Sequence, residues 1–335
     1  LIDILYFLFN AYPKKKDGNR MKKILCIGSV TADVILKPVD ELPPLGTLVI
    51  AKGGVEVHTG GCATNCAISL AKLGAKPFVA CKVGADAFGD MVKKELSEPG
   101  VDISGVVTGS VATTTSVVII ASSGERSFLY SPGSAADFKT SEIPAELTAK
   151  VDIVFVAGCG LNFSLDGQPC ADYMKAAKAA GKFTVMDTAW DPRGYWDRLV
   201  QPTLPYLDLF MPSIDEAAMI VGEREPEKVV AALRKLGSRD IILKMGSKGA
   251  YVDFVGEKPF VMAPFLIDNP ADTTGAGDAF CAGYLYGLAS GWDVKKRVEF
   301  ANGVGACSVT AVGATAGIKT AAETEKFIGE RKRNG

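Results

Sequence analysis

The chain of 335 residues carries 37 Lys and Arg against 38 Asp and Glu, a formal charge of −1, with one histidine. At 48% hydrophobic and 22% charged residues it can bury a sizeable core, which excludes a disordered chain, and the even charge leaves no basic footprint for nucleic acid. His58 alone also excludes catalysis by several histidines or a multi-histidine metal site. A small anion is still admissible, because backbone amides or one metal ion supply positive potential locally.

The first twenty residues differ in character from the remainder of the chain. LIDILYFLFNAY is apolar for about a dozen residues, too short to span a bilayer, and it lacks the basic lead and small-residue cleavage site of a signal peptide. Basic KKKDGNR then leads to Met21, where the strand pattern KKILCIGSV begins. Residues 1–20 therefore read as an upstream extension or mobile arm, and 21–335 as a single domain.

Residues 22–30 form an apolar run suited to a buried strand. In 62–73 the residues Ala63, Cys66, Ala67, Leu70 and Ala71 make one helical stripe, closed by Gly74. Strand 78–83, helix 86–97, strand 152–157, helix 168–180 and strand 183–187 come next, then strand 207–211, helices 213–221 and 226–236, and strand 239–245. Repeated β-then-α order predicts an α/β fold, a mostly parallel sheet covered by helices. Segments 38–60 and 105–131 break the rhythm: rich in Thr, Val and Ser, punctuated by Gly, they predict short antiparallel strands of a small sheet outside the main layer. Such a sheet serves as a lid or as a contact with a second subunit. The eight cysteines (26, 62, 66, 81, 159, 170, 281 and 307) contain no C-x-x-C pair and read as reduced core residues of a cytoplasmic protein.

The stretch richest in chemistry is Asp272-Thr273-Thr274-Gly275-Ala276-Gly277-Asp278, ahead of AFCAGYLYGLAS and Gly291. Small residues opening a helix leave its first amides free to receive a phosphate, helped by the positive end of the macrodipole. Asp278 then stands in the first turn beside the anion, where a general base toward an alcohol is the obvious use. Alone, the same residues would also describe an acidic helix start on a Gly-rich turn.

Three separated segments carry a family resemblance. GSVTADVIL (28–36), TGGCATNCAISLAKLGAKPFVACKVGADAFG (59–89) and DTTGAGDAFCAGYL (272–285) resemble, in order and spacing, the ribokinase or PfkB family of carbohydrate kinases, and ANGVGACSVTAVGA (301–314) resembles its adenine-side helix and loop. The resemblance covers about 300 residues, and it implies a three-layer αβα core with a small β-sheet lid. It implies an ATP-dependent sugar kinase with Asp278 as base and Gly275, Ala276 and Gly277 as anion hole. Asp33, Gly61 and Asn65 match sugar-binding positions, and their chemistry suits a polyol: Asp accepts, Asn donates and accepts, Gly admits the backbone. Asp33 taken by itself also reads as a turn residue at a strand end.

Lys244, Gly246 and Gly249 match the turn bordering the nucleotide, and Asn302 a position beside the purine; by residue type alone Lys244 and Lys248 could equally be solvated. The family's Asn-Pro-Asn-x-x-Glu is here Met211-Pro212-Ser213-Ile214-Asp215-Glu216, so Ser213 replaces an amide while Glu216 stays to orient hydrated Mg²⁺. Cys62 stands where ribokinases commonly carry Lys, a departure that bears on ribose recognition. A monovalent cation, K⁺, is implied at Asp272 and Thr274 with the carbonyls of Ser308, Ala311 and Gly313, although Gly317 stands where ribokinase has Ser. No P-loop and no Gly-x-Gly-x-x-Gly occurs. The expected reaction moves the γ-phosphoryl group of ATP to a sugar hydroxyl; a nucleoside kinase of the same fold and a non-catalytic binding regulator are the alternatives. Expected partners are a small sugar and a second copy of the chain through the lid strands, with no nucleic acid and no membrane.

Overall fold

The computed structural model describes residues 20–50, 52–123 and 125–334, so the reading of 1–20 lies almost wholly outside the described residues. Among the described residues the core is a nine-stranded sheet: β1 (Ile24–Gly28), β4 (Phe78–Gly84), β5 (Asp102–Gly109), β8 (Ile153–Cys159), β9 (Phe183–Thr188), β10 (Leu209–Phe210), β11 (Asp240–Lys244), β12 (Ala250–Asp253) and β13 (Phe260–Met262). They lie in the order β13-β12-β11-β10-β9-β8-β1-β4-β5, parallel from β11 to β5 and antiparallel at the β12 and β13 edge.

Alternation along β1 shows why helices must cover both faces. Ile24 and Cys26 point into one apolar cluster, Leu25 and Ile27 into another, and all four are buried. Helices α1 (Cys62–Lys72), α2 (Ala87–Ser97), α6 (Ala276–Ala289) and α7 (Val294–Ser308) supply the first cluster; α3 (Gln168–Ala179), α4 (Ile214–Val221) and α5 (Pro226–Lys235) supply the second. The result is the three-layer αβα core expected. Helix α8 (Ala321–Asn334) lies against α7, with Ile328 beside Phe300 and Val304.

The small second sheet exists, but its membership differs from the expectation. It contains β2 (Thr31–Leu36), β3 (Val55–Gly60), β6 (Thr115–Ile120) and β7 (Arg126–Ser131), in the order β3-β2-β6-β7, with β2 and β6 parallel and the other pairs antiparallel. Residues 105–109 belong instead to β5 on the edge of the main sheet, because they continue its parallel pairing with β4. The predicted strand 22–30 ends at Gly28, and 31–36, with Asp33, crosses into the small sheet. Val30 and Ala32 are both buried, so hydrophobicity alone does not mark the crossing. Residues 38–50 form no strand and leave Leu45, Leu48 and Ile50 exposed.

The chain re-enters the core at Gly61, whose φ is +98° and where an added Cβ would lie 2.5 Å from the Ser29 carbonyl oxygen. Both the conformation and the space require glycine. Gly61→Ala is expected to destabilise the fold by about 1–3 kcal/mol, read as a lowered urea midpoint; an unchanged midpoint would show that this junction relaxes freely.

Candidate active site

The carboxyl ends of β9, β10 and β11 and the start of α6 open into one cavity of about 710 Å³, the usual location of ligands in an open α/β sheet. Its lining contains Ser213, Glu216, Lys244, Gly246, Gly249, Gly275, Ala276, Gly277, Asp278 and Asn302, so the sequence-predicted anion, base and nucleotide positions meet in one space.

Gly275 is the residue before α6, at φ +73°, and an added Cβ there would come within 2.7–2.9 Å of Ala314. Packing against the 309–314 loop, more than approach of an anion, demands that glycine. A Cβ at Gly277 would lie 3.3 Å from Lys244 Nζ, so this glycine keeps the ammonium close to the helix start. The first-turn amides of α6 have no partner within the helix and face the same region as that charge.

Asp278 is the third residue of α6 and half-buried at the cavity wall. Asn65 on α1 donates from Nδ2 to Asp278 Oδ2 at 2.9 Å, which fixes the carboxylate across 213 residues of sequence. Burial first, and the nearby Asp187 carboxylate second, push the Asp278 carboxyl up to about 7, against the opposing pull of Asn65, Lys244 and Cys62.

Asp187 was not singled out from sequence, yet it anchors this charge cluster. It is the penultimate residue of the fully buried strand β9, and pairs with Lys244 Nζ at 3.1 Å while accepting the Gly158 amide at 2.7 Å. A carboxylate directly after the strand residues Val185 and Met186 was the available signal. Burial works against the Lys244 charge, but its anionic surroundings outweigh that and hold its pKa well above the usual lysine value. Lys244 is thus a buried, paired cation with its side chain 11% exposed, and the solvated reading does not hold.

Other predicted positions fall around this centre. Ser213 caps α4, accepting from the Glu216 amide at 3.2 Å, while Glu216 Oε2 accepts from the Ser213 amide at 3.1 Å and the Thr188 hydroxyl at 2.7 Å. The serine therefore does structural work that also aims Glu216. Asn302 donates to the Met262 and Ala263 carbonyls at 3.3 and 2.9 Å, so its amide holds the cavity wall. Gly249 is required by packing, since a Cβ would lie 2.0 Å from the Met262 carbonyl oxygen. Gly246, at φ +57°, lines the same wall and turns the chain after β11.

Asp33 lies on β2, opposite His58 of β3, and accepts from Thr31 Oγ1 at 2.7 Å. Gly60 lies directly under it: a Cβ there would meet Asp33 Oδ2 at 2.0 Å. Burial raises the Asp33 carboxyl above its ordinary value despite the Thr31 hydrogen bond. Asp33, Gly61 and Asn65 are not in the cavity lining themselves; the lid and the start of α1 carry them, and Asn65 connects them to Asp278.

The loop of 272–274 and the segment 308–313 do come together, through Asp272 Oδ2 accepting the Gly313 amide at 2.9 Å and the Ala271 amide donating to the Val309 carbonyl at 2.8 Å. Arg126, from β7, places Nη1 at 2.8 Å from Asp272 Oδ1 and also on Thr274 Oγ1. Two unit positive charges about 4 Å apart repel by about 4 kcal/mol at an effective dielectric near 20, so an alkali ion and this guanidinium compete for one carboxylate. For a divalent ion the picture differs. Among the described residues no group of three or more His, Cys, Asp or Glu gathers to hold a metal directly, and the Glu216 carboxylate, held on the cavity wall by Ser213 and Thr188, suits a Mg²⁺ that keeps its waters and arrives on phosphates.

Residues 21–321 match the model of the pfkB family carbohydrate kinases. The chain belongs to that family. It is 27% identical over 282 residues to the 2-dehydro-3-deoxygluconokinase of Bacillus subtilis, covering 81% of this chain and 87% of the relative, and 27% identical over 312 residues to the ribokinase of the same organism, covering 92% and 100%. The structure of Arabidopsis thaliana ribokinase complexed with ribose and ATP superposes with a TM-score of 0.81 over 92% of this chain and 99% of that one, at 24% identity.

In this pfkB carbohydrate kinase the raised Asp278 has a thermodynamic signature. The folded chain keeps the Asp278 proton until about pH 7 while an unfolded carboxyl loses it near 3.8. The native state therefore binds more protons across that window, and this group's contribution to stability declines as pH rises through it. Asp278→Asn removes the decline, so its thermal midpoint relative to the parent should climb between about pH 5 and about pH 8. Parallel midpoint curves in calorimetry would show that Asp278 is not held protonated in the fold.

Proposed function

We propose that this kinase transfers the γ-phosphoryl group of ATP to a hydroxyl of a small carbohydrate, with Asp278 accepting the proton of that hydroxyl. The observation that carries the reading is the position of Asp278: a hydrogen-bonded carboxylate with its pKa pushed up to about 7, in the first helical turn beside the opening amides of α6 and the Lys244 ammonium. A base of that strength is nearly matched to neutral pH and can take a proton as the alcohol attacks. The amides of Gly275, Ala276 and Gly277, with Lys244 behind them, suit the charge that gathers on the transferred group. Mg²⁺ bound to the ATP phosphates would neutralise part of their charge and be oriented through water by Glu216. The fold neighbour that binds ribose and ATP supports the same pairing of ligands.

Asp33, Gly61 and Asn65 form the sugar side of the site. Asp33 accepts from ligand hydroxyls, and Asn65 Oδ1, buried without a hydrogen-bond partner, offers a further acceptor beside the base. The lid strands β2, β3, β6 and β7 belong to the single kinase domain of 21–335 and close over its site, excluding water as a competing acceptor. A nucleoside would need an aromatic wall from the lid, whose Phe128 is instead 56% exposed, so a sugar is the preferred acceptor. Eight free thiols, seven of them buried, favour a cytoplasmic enzyme. Among the described residues no helix is long and apolar enough to cross a membrane.

An ADP-release assay over a panel of hexoses, pentoses, sugar acids and nucleosides tests the acceptor class directly. A sugar should be the best acceptor, and Asp278→Asn should bind ATP nearly as before while turnover falls by at least ~10²-fold. Unchanged turnover would remove Asp278 as base, a nucleoside as best acceptor would reassign the substrate, and no ADP release with any acceptor would favour a binding regulator.

The exposed Phe128 and Leu129 of β7 and Val55 of β3, together with exposed Leu45 and Ile50 of the 38–50 segment, also support a homodimer through the lids. Light scattering at micromolar concentration should give twice 35.2 kDa. A monomer would leave this apolar surface to another partner.

A further inference from the structure

Arg126 occupies a position that neither its sequence context nor the sugar-kinase reading assigns. It opens β7, on the lid sheet, yet its guanidinium reaches 148 residues along the chain to Thr274 and ion-pairs with Asp272, the residue that begins the anion-hole loop. The pair is well shielded, with side-chain exposures of 18% and 5%. Asp272 is otherwise fully engaged in ordering that loop: Oδ1 accepts the Thr274 amide at 2.7 Å and Oδ2 the Gly313 amide at 2.9 Å. A buried carboxylate with these amide donors still carries a net negative charge, and a neighbouring cation lowers the cost of its burial. Here the cation is a side chain of the same protein.

We infer that Arg126 is a built-in monovalent cation. When the lid is down its guanidinium neutralises Asp272 and holds Thr274, so the loop that leads into Gly275, Ala276 and Gly277 is ordered without an added alkali ion. Arg126 is a positioning residue: it acts on the anion hole through Asp272 and Thr274. Because it rides on the lid, ordering of the anion hole is coupled to closure over the sugar. The inference rests on the carbohydrate-kinase reading for its effect on turnover, but the ion pair and its consequence for cation binding do not.

The test compares the full chain with Arg126→Ala and Arg126→Lys in sodium, potassium and tetramethylammonium chloride at equal ionic strength. Two readouts are used: ADP release with the best acceptor of the panel, and the thermal midpoint without substrates. The parent enzyme should show rates within about two-fold and superimposable midpoints in all three salts, since its cation is internal. Arg126→Ala should lose about ten-fold or more in kcat in tetramethylammonium, with the KM for ATP little changed, and recover in potassium, which should also raise its midpoint. Arg126→Lys should retain cation independence. Strong potassium activation of the parent enzyme, or an Arg126→Ala protein indifferent to the cation in both readouts, overturns the inference. The midpoint comparison needs no turnover, so it decides the cation question even if no sugar proves to be an acceptor.

Discussion

The ion pair of Lys244 with Asp187 sits where four separate parts of the chain converge, and the rest of the site is arranged around its charge balance. Asp187 lies at the end of β9, Lys244 ends β11, Asp278 is in the first turn of α6 and Asn65 comes from α1. With Asp187 and Lys244 neutralising one another, Asp278 is left beside a carboxylate and inside a low-dielectric wall, which raises its proton affinity. Had Lys244 paired with Asp278 instead, that carboxylate would be held ionised and would be a weaker base. Removing either partner of the buried pair would strand the other charge, a cost of about 3–5 kcal/mol in comparable cases, so the pair also ties β9 to β11.

The small sheet adds the second constraint. Its first strands leave and re-enter the core at Ser29 and Gly61, shortly before Asn65, so the hinge of the lid and the residue that orients Asp278 belong to one short stretch of chain. Asp33 rests on Gly60 from the lid side, while Arg126 at the start of β7 grips the loop that leads into α6. Lid position, Asp278 and the loop that leads into α6 are therefore mechanically connected. In a kinase this matters because water is always present as a rival acceptor, and a site assembled only on closure transfers less phosphate to it.

What could be read from the sequence was what depends on neighbours along the chain. The helix stripe at Ala63 to Ala71, the small residues ahead of Asp278 and the β-then-α order all express local periodicity, and they place α1, α6 and the parallel sheet as found. The crossing of Asp33 into the lid was hidden because Ile27, Val30 and Ala32 are buried on both sides of it. The assignment of 105–109 failed for a related reason: Gly105, Val106 and Val107 have the composition of either sheet, and only pairing with Ala80, Cys81 and Lys82 decides between them. Asp187 and Arg126 were missed because their partners lie 57 and 148 residues away, a relation that no spacing encodes. Ser213 and Asn302 show the converse case, in which a position marked for ligand contact is first needed by the fold, as a helix cap and as a strut for the cavity wall.

A chain with a net charge of −1 that receives a highly anionic nucleotide must concentrate its positive potential, and this one does so without a basic surface. Lys244 is buried beside Gly277 at the start of α6, Arg126 is committed to Asp272, and the helix contributes its dipole at the same point. Fixed, desolvated charges of this kind act more strongly than solvated lysines and need no reorganisation when charge develops in the reaction. On the proposed reading the sugar is chosen on the other side of Asp278, by Asp33 and by Asn65, whose carboxylate and unpartnered Oδ1 are acceptors for the protons of ligand hydroxyls.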